Sequence, residues 1–278
     1  MTAVARPTSA LGRRARIASA TNDSLLIGWR NLKRIPRIPE LAIFAILQSI
    51  MFVVLFAFVF GGAIPLPGGG SYKEYLMPGI YIQTLAFASI TTAIGMADDM
   101  NKGLIDRFRS LPMARSAVLS GRTSADVVYN AGILVVLMLS GLVVGWRVHG
   151  TVADFALAIL LMLMFTFAMA WIGVLLGLLV KTVENAQQLG FLVIFPLTFI
   201  SSAFVPVATL PSVLKPIAEW NPVSALVSAT RDLFGNPNPY PPDSWPGEHA
   251  LLLSFAWIIG LLAVFAPLAV RRYRSIER

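Results

Sequence analysis

Cysteine is absent from the sequence, and charged residues are scarce. Without cysteine, the chain can form neither disulfide bonds nor thiolate metal sites. Charged residues make up 13% of the chain, whereas soluble domains carry about 25%. Together with a mean hydropathy of +0.73, this deficit favours a protein embedded in a lipid bilayer.

Histidine is also scarce, because the chain contains only His149 and His249. They lie far apart in the sequence, in segments between long apolar runs. We interpret both as solvated loop residues rather than as a metal pair. We therefore expect no metal site and no bound cofactor in this chain.

Long uncharged runs are abundant. A bilayer core of about 30 Å needs about 20 helical residues, and six runs reach this length without the polar face of a soluble helix. We predict an all-α integral membrane protein, in which residues 1–22 form a disordered cytoplasmic tail and residues 23–278 form one transmembrane domain. The predicted spans are 41–60, 76–97, 127–146, 155–180, 186–205 and 250–270.

The basic residues alternate with these runs. Of the 22 lysines and arginines, 18 lie in the segments 1–40, 98–122, 181–185 and 271–278. The positive-inside rule places these segments and both termini in the cytoplasm, in a multi-pass protein of the bacterial cytoplasmic membrane. The net charge of +8 then reflects topology and contact with anionic membrane lipids, and we expect no nucleic-acid partner.

Two segments outside the spans predict short helices. Residues 25–35 place apolar and basic side chains on opposite faces, which predicts a helix in the inner-leaflet interface; an ordinary solvated helix is the alternative. Residues 210–235 contain the helix start Asn221-Pro222 and the stop Gly235. They predict short helices between spans five and six that lie at the outer interface or re-enter the membrane.

The six runs also lack every group that would energise transport. Proton-coupled transporters keep an ionisable residue in a span despite a cost of about 2.5–3.5 kcal/mol, and none lies in these runs. Asp126 and Asp154 fall at the predicted membrane ends. The chain has no G-x-x-x-x-G-K-[ST] phosphate loop, so we expect no enzymatic activity in it. If ATP drives transport, a separate protein supplies the ATPase.

The loop 98–122 carries eight charged residues between two apolar runs. In it, D-R-F-R alternates charge around an aromatic ring, and a proline can start a short helix. We predict an amphipathic helix that docks into a partner's groove; the alternative is that the arginines only bind anionic lipid and fix topology. The predicted docking residues are Asp106, Arg107, Phe108, Arg109, Leu111, Pro112, Met113 and Arg115.

Five stretches resemble one family. They are FVVLFAFVFGGAI (52–64), YLMPG (75–79), KGLIDRFRSLPMARS (102–116), GFLVIFPLTFISSAFVP (190–206) and NPVSALVSATRDLFG (221–235). Over roughly residues 25–274 the chain resembles the permease subunits of type-2 ABC exporters, in particular the daunorubicin/doxorubicin-resistance permease family. The block at 102–116 is the most specific.

This resemblance implies an assembly. The loop 98–122 would hold the coupling helix that contacts a separate ABC ATP-binding subunit, which binds ATP and Mg. Residues 25–35 would be the connecting helix, and 210–235 would close the outer end of the path. Two permease chains, as a homodimer, would join two ATPases in an exporter.

The predicted substrate is a small amphipathic, hydrophobic drug or antibiotic, because the spans offer apolar and aromatic surface with few neutral polar groups. Interhelical hydrogen bonding is the alternative role for these groups. Two other functions stay open: export of a polysaccharide or lipid-linked substrate, and a non-transporting membrane scaffold or sensor. The predicted path residues are Gln48, Gln83, Thr84, Thr166 and Thr198.

Overall fold

The computed structural model describes residues 47, 50, 51, 53–60, 66, 69–103, 115–239 and 244–275. Within them every regular element is helical, as predicted. The predicted tail (1–22), the predicted interfacial helix (25–35) and the docking residues from Asp106 to Met113 lie outside the described residues, as does Gln48.

The described residues form eight α-helices, preceded by a π-helical segment, Leu55–Phe60. A 3₁₀ turn spans Val207–Thr209. The helices are α1 (Tyr72–Asn101), α2 (Arg115–Val144), α3 (Val152–Leu179), α4 (Val183–Phe199), α5 (Lys215–Glu219), α6 (Pro222–Phe234), α7 (Trp245–Glu248) and α8 (Ala250–Ser275). The end of the bundle that carries α5 to α7 is called the outer end, after the predicted topology.

Four described helices are long and apolar enough to cross a membrane: Tyr72–Asn101, Leu119–Val144, Val152–Leu179 and Ala250–Ser275. They coincide with the second, third, fourth and sixth predicted runs. The fifth predicted run coincides with α4, which has 17 residues, and the first is described only in part. For the described residues an all-α fold with apolar spans is therefore confirmed, while the number six and the location of both termini stay predictions.

Helix α2 extends beyond the third predicted span. The sequence pattern began that span at residue 127 and left Asp126 at the membrane end. In the structure α1 continues to Asn101 and α2 begins at Arg115, so Asp126 lies within a helix. Thr92 of α1 donates a hydrogen bond to its carboxylate, which shows how a neighbouring helix can satisfy a buried polar group. The position of Asp126 relative to the membrane stays a prediction.

Local sequence explains where several helices begin and end. Thr151 and Asp154 form a capping box that starts α3, and the Thr182 side chain caps α4. Asn221 caps α6 with proline at its first position, and Gly235 ends it with φ +66°. The caps predicted for α6 are therefore confirmed, because they depend on residues adjacent in sequence.

The core is built around α1, which contacts α2, α3, α4 and α6. Its closest partner is α3, where Gly173 and Gly177 meet the backbone of α1. A Cβ at Gly173 would lie 2.2 Å from the Ser89 carbonyl oxygen, and one at Gly177 would lie 2.5 Å from the Ala93 carbonyl oxygen. Glycine at both positions lets the two backbones touch, as small residues do in membrane bundles.

Candidate functional site

Helix α6 is enclosed by the bundle. Every residue from Asn221 to Arg231 is buried, and α6 contacts α1, α3 and α8. The segment before it is different, since Val213, Ile217 and Trp220 are 75%, 53% and 51% exposed. The predicted outer segment thus divides into an exposed first half and a buried helix at the outer end of the bundle.

Arg231 on α6 carries its charge at a site that is 1% exposed. Its Nε donates a hydrogen bond to the Tyr75 carbonyl oxygen at 2.8 Å. Its Nη2 donates to the carbonyl oxygens of Ser202 at 2.9 Å and Ala203 at 3.2 Å. The guanidinium carbon lies 3.5 Å from the centroid of the Tyr75 ring. One side chain therefore ties α6 to α1 and to the segment after α4.

Further side chains hold the backbone of residues 197–204, where α4 ends. The hydroxyls of Tyr75 and Tyr72 donate to the carbonyl oxygens of Ser202 at 2.8 Å and Phe204 at 3.0 Å. Ser224 accepts from the Ser202 N–H at 2.9 Å. The amide of Asn221 donates to the carbonyl oxygens of Leu197 and Ile200. We call Tyr72, Tyr75, Asn221, Ser224 and Arg231 the outer hub.

The outer hub explains why α4 ends before the predicted run does. The apolar run continues to residue 205, but α4 ends at Phe199. Irregular backbone at membrane depth is tolerated where protein groups satisfy its N–H and C=O groups. The outer hub supplies those groups from α1 and α6, so the chain can leave the helix inside a continuous hydrophobic stretch.

Three phenylalanines form an exposed row along α4. Phe191, Phe195 and Phe199 are spaced four residues apart, which places them on one helix face, and they are 46%, 44% and 40% exposed. Their ring centroids are 6.2 Å and 4.2 Å apart in sequence order. We call these three residues the aromatic face.

The row continues at both ends. Phe87 of α1 contacts Phe191 edge-on at 5.5 Å. At the other end Phe204 lies 5.4 Å from Phe199 and 4.5 Å from Phe56, and the carbonyl of Phe204 belongs to the backbone that the outer hub holds. The aromatic face therefore runs along α4 and ends at the outer hub.

Four of the predicted path residues lie in the described part of the chain, on α1, α3 and α4. Gln83 on α1 is buried and Thr84 is half-buried. Thr166 donates to the Met162 carbonyl oxygen of its own helix at 2.8 Å, and Thr198 donates within α4. An open groove between α2, α3 and α8 contains none of them; it is lined by Ser124, Val127, Leu163, Met164, Phe167 and Leu262. Their role in the path stays a prediction.

The predicted docking residues are almost all outside the described residues. Arg115 is the exception, and it is the first residue of α2. The other seven fall, in sequence, between Asn101, where α1 ends, and Arg115. The docking role of these residues stays a prediction.

Comparison with known proteins gives the family. The ABC-2 type transporter family matches residues 24–234, a range that contains α1 to α4, the aromatic face and the whole outer hub.

The chain belongs to the ABC-2 type transporter family.

Relatives of this ABC-2 type chain include permeases named for drug resistance. "Daunorubicin resistance ABC transporter permease protein DrrB1" from Streptomyces coeruleorubidus is 30% identical over 97% of the chain and 92% of that protein. "Probable doxorubicin resistance ABC transporter permease protein DrrC" from Mycobacterium tuberculosis is 25% identical over 83% of the chain and 81% of that protein. "Inner membrane transport permease YadH" from Escherichia coli is 23% identical over 70% and 76%.

These matches confirm the resemblance read from the sequence. The chain is an ABC-2 type membrane permease, and its predicted location in a bacterial cytoplasmic membrane is confirmed. Its relatives are permease subunits, which are not themselves catalytic.

Sequence reasoning missed two features of this ABC-2 type permease. The aromatic face had a signal, because phenylalanines at positions 191, 195 and 199 repeat with the period of one helix face. Arg231 had a weaker signal, as one charge in a helix whose next charge is its neighbour Asp232. Its carbonyl partners lie up to 156 residues away, and no local pattern identifies them.

Proposed function

We propose that this chain is the membrane-spanning subunit of an ATP-driven exporter of planar, amphipathic, aromatic drugs. A separate ATP-binding subunit would bind ATP and Mg, and two permease copies would enclose the path. The observation that carries the proposal is the aromatic face, which gives α4 a continuous row of exposed rings.

The aromatic face suits a planar, hydrophobic substrate. Aromatic pairs with centroids 4.5–7 Å apart gain about 0.5–1.5 kcal/mol beyond their burial. Each ring of the row is therefore a weak site for a planar molecule. A row of weak sites lets a substrate bind and still leave, because no single site holds it tightly. The names of the drug-resistance relatives point to the same substrate class.

The proposed cycle uses the two ends of the bundle. The partner ATPases would engage the docking residues at the inner end and displace them when ATP binds. A shift of the permease from 1:99 to 99:1 between two states needs about 5.5 kcal/mol of differential binding, which nucleotide-dependent closure of two ATPases can provide. The outer hub would keep the outer end closed until that shift.

The proposal is tested in proteoliposomes that contain the chain and an ABC ATP-binding subunit that co-purifies with it. We expect ATP-dependent transport of daunorubicin. Phe195→Leu keeps an apolar side chain but removes the ring, so the KM for daunorubicin should rise about fivefold, the equivalent of about 1 kcal/mol. The matched control is Leu192→Ala, on the same helix at a side chain that is 71% exposed, which should leave KM unchanged.

Three outcomes would overturn the proposal. Equal KM values for wild type and Phe195→Leu would remove the aromatic face from the path. Transport of a lipid-linked glycan with no drug-stimulated ATP hydrolysis would assign the chain to the glycan exporters. A chain that never co-purifies with an ATPase would be a scaffold or sensor.

A further inference from the structure

The inner ends of α1 and α2 are joined by a cluster of polar side chains. Asp99 of α1 forms an ion pair with Arg122 of α2 through Oδ2 and Nη1, and the two side chains are 17% and 16% exposed. Thr92 of α1 donates to Oδ2 of Asp126 of α2 at 2.7 Å. We call these four residues the inner clamp.

The inner clamp forms two rungs between antiparallel helices. Thr92 and Asp99 are two turns apart on one face of α1, while Arg122 and Asp126 are one turn apart on α2. Each rung joins a residue of α1 to a residue of α2. Asp126 also interacts electrostatically with Arg122 and Asp99, so the two rungs are coupled. The two helices are therefore held at two heights, which resists both sliding and splaying.

Gly95 shows how closely Arg122 lies against α1. Gly95 is between the two rungs, and a Cβ there would come within 2.0 Å of Nη2 of Arg122. The guanidinium thus lies against the backbone of α1 at Gly95, and a larger residue there would require the Arg122 side chain to shift.

The position of the inner clamp gives it a mechanical role. Seven of the eight predicted docking residues fall in sequence between α1 and α2, and the inner clamp lies on these two helices. At its other end, α1 carries Tyr72 and Tyr75 of the outer hub. With 30 residues, α1 is about 45 Å long and connects the inner clamp to the outer hub.

We propose that Asp99, Arg122, Thr92 and Asp126 are positioning residues that make α1 and α2 move as one body. A force applied to the docking segment then displaces α1 along its whole length and reaches the outer hub, rather than separating two inner helix ends. This inference rests on the proposed function for its role in transport, but the rigidity of the helix pair does not.

Rigidity is measured by spin labels, because the chain has no native cysteine. Thr91→Cys and Ser124→Cys place labels at exposed positions beside the inner clamp. We expect one narrow distance distribution that is the same without nucleotide and with ATP and vanadate. Arg122→Gln should broaden the distribution at least twofold. Lys102→Gln, which breaks the ion pair of Lys102 with Asp98 at the end of α1, should leave the distribution unchanged.

Coupling is measured as daunorubicin transported per ATP hydrolysed in the same complex. Arg122→Gln should lower this ratio about fivefold while ATP hydrolysis continues. The exchange Asp99→Arg with Arg122→Asp should restore much of it, which loss of fold could not do. If Arg122→Gln does not reach the membrane, Thr92→Val removes the other rung at nearly constant volume and should also broaden the label distances.

The outcomes separate the two proposals. A narrow distribution and an unchanged coupling ratio in both Arg122→Gln and Thr92→Val would overturn the inner clamp, whatever the wild type transports. A wild type that transports no drug but shows the expected label distances would overturn the proposed function and leave the rigid helix pair standing.

Discussion

At the scale of single residues, Arg231 shows how a full charge is kept inside an apolar bundle. Three carbonyl oxygens accept its hydrogen bonds, and the Tyr75 ring lies against its plane. Each hydrogen bond to a charged group contributes about 1.5–3 kcal/mol to stability. Their geometry depends on the flat fork of guanidinium, which a point charge cannot reproduce.

Substitution of Arg231 should therefore destabilise the protein strongly. Arg231→Met removes the three hydrogen bonds that these buried carbonyl groups accept from the guanidinium, and we expect a loss of about 3–5 kcal/mol. Arg231→Lys keeps the charge and loses the fork, so we expect about half that loss. Thermal unfolding in detergent measures both. Lys215→Met, at a half-buried basic residue of the same outer segment, should change stability by less than about 0.5 kcal/mol.

A stability of Arg231→Met equal to that of Lys215→Met would contradict this account of the outer hub. It would mean that the hydrogen bonds from Arg231 to these carbonyl groups contribute no net stability. The comparison is informative because both substitutions remove one positive charge from the outer segment.

At the scale of elements, sequence predicted helix types and caps well. The start of α6 at Asn221-Pro222 and its end at Gly235 depend on residues that are adjacent in the chain. The end of α4 depends on distant residues instead. The apolar run continues past Phe199, and side chains of α1 and α6 form hydrogen bonds with the backbone that follows the helix. The hydrogen bond from Thr92 to Asp126 likewise joins two helices and has no signal in local hydropathy.

The docking segment between α1 and α2 is the element whose role depends most on a partner. Reversing both charges in Arg107→Glu/Arg109→Glu should repel the carboxylates of the partner groove. We expect at least a tenfold loss of the ATP-binding subunit in co-purification, with permease levels unchanged. Lys181→Glu, in another predicted inner segment, is the control and should retain the partner. Undiminished co-purification would leave the arginines with a lipid or topology role only.

At the scale of the whole molecule, the outer end is marked by exposed aromatic side chains. Trp220 and Trp245 stack with centroids 5.7 Å apart, and they are 51% and 45% exposed. Tryptophan is enriched where a protein meets the lipid headgroups. This stack, together with the inner distribution of basic residues, fits a topology in which both termini are cytoplasmic.

Topology can be tested because single cysteines can be added to a chain that has none. A cysteine at Val213, which is 75% exposed, should react with a membrane-impermeant maleimide added to intact cells. A cysteine at Ser275, at the end of α8, should react only after permeabilisation. The reverse pattern would invert the predicted topology and move the docking segment out of reach of a cytoplasmic ATPase.

The sequence by itself determined the membrane class, most of the apolar spans, the caps of α6 and the family, because each depends on local composition or on a contiguous motif. Only the tertiary structure decided how α6 is buried, where α4 ends, and which side chains form the outer hub and the inner clamp. The physical reason is that these features depend on pairs such as Arg231 with Tyr75, 156 residues apart, and Arg122 with Asp99. Hydropathy sums neighbouring residues and contains no term for such pairs.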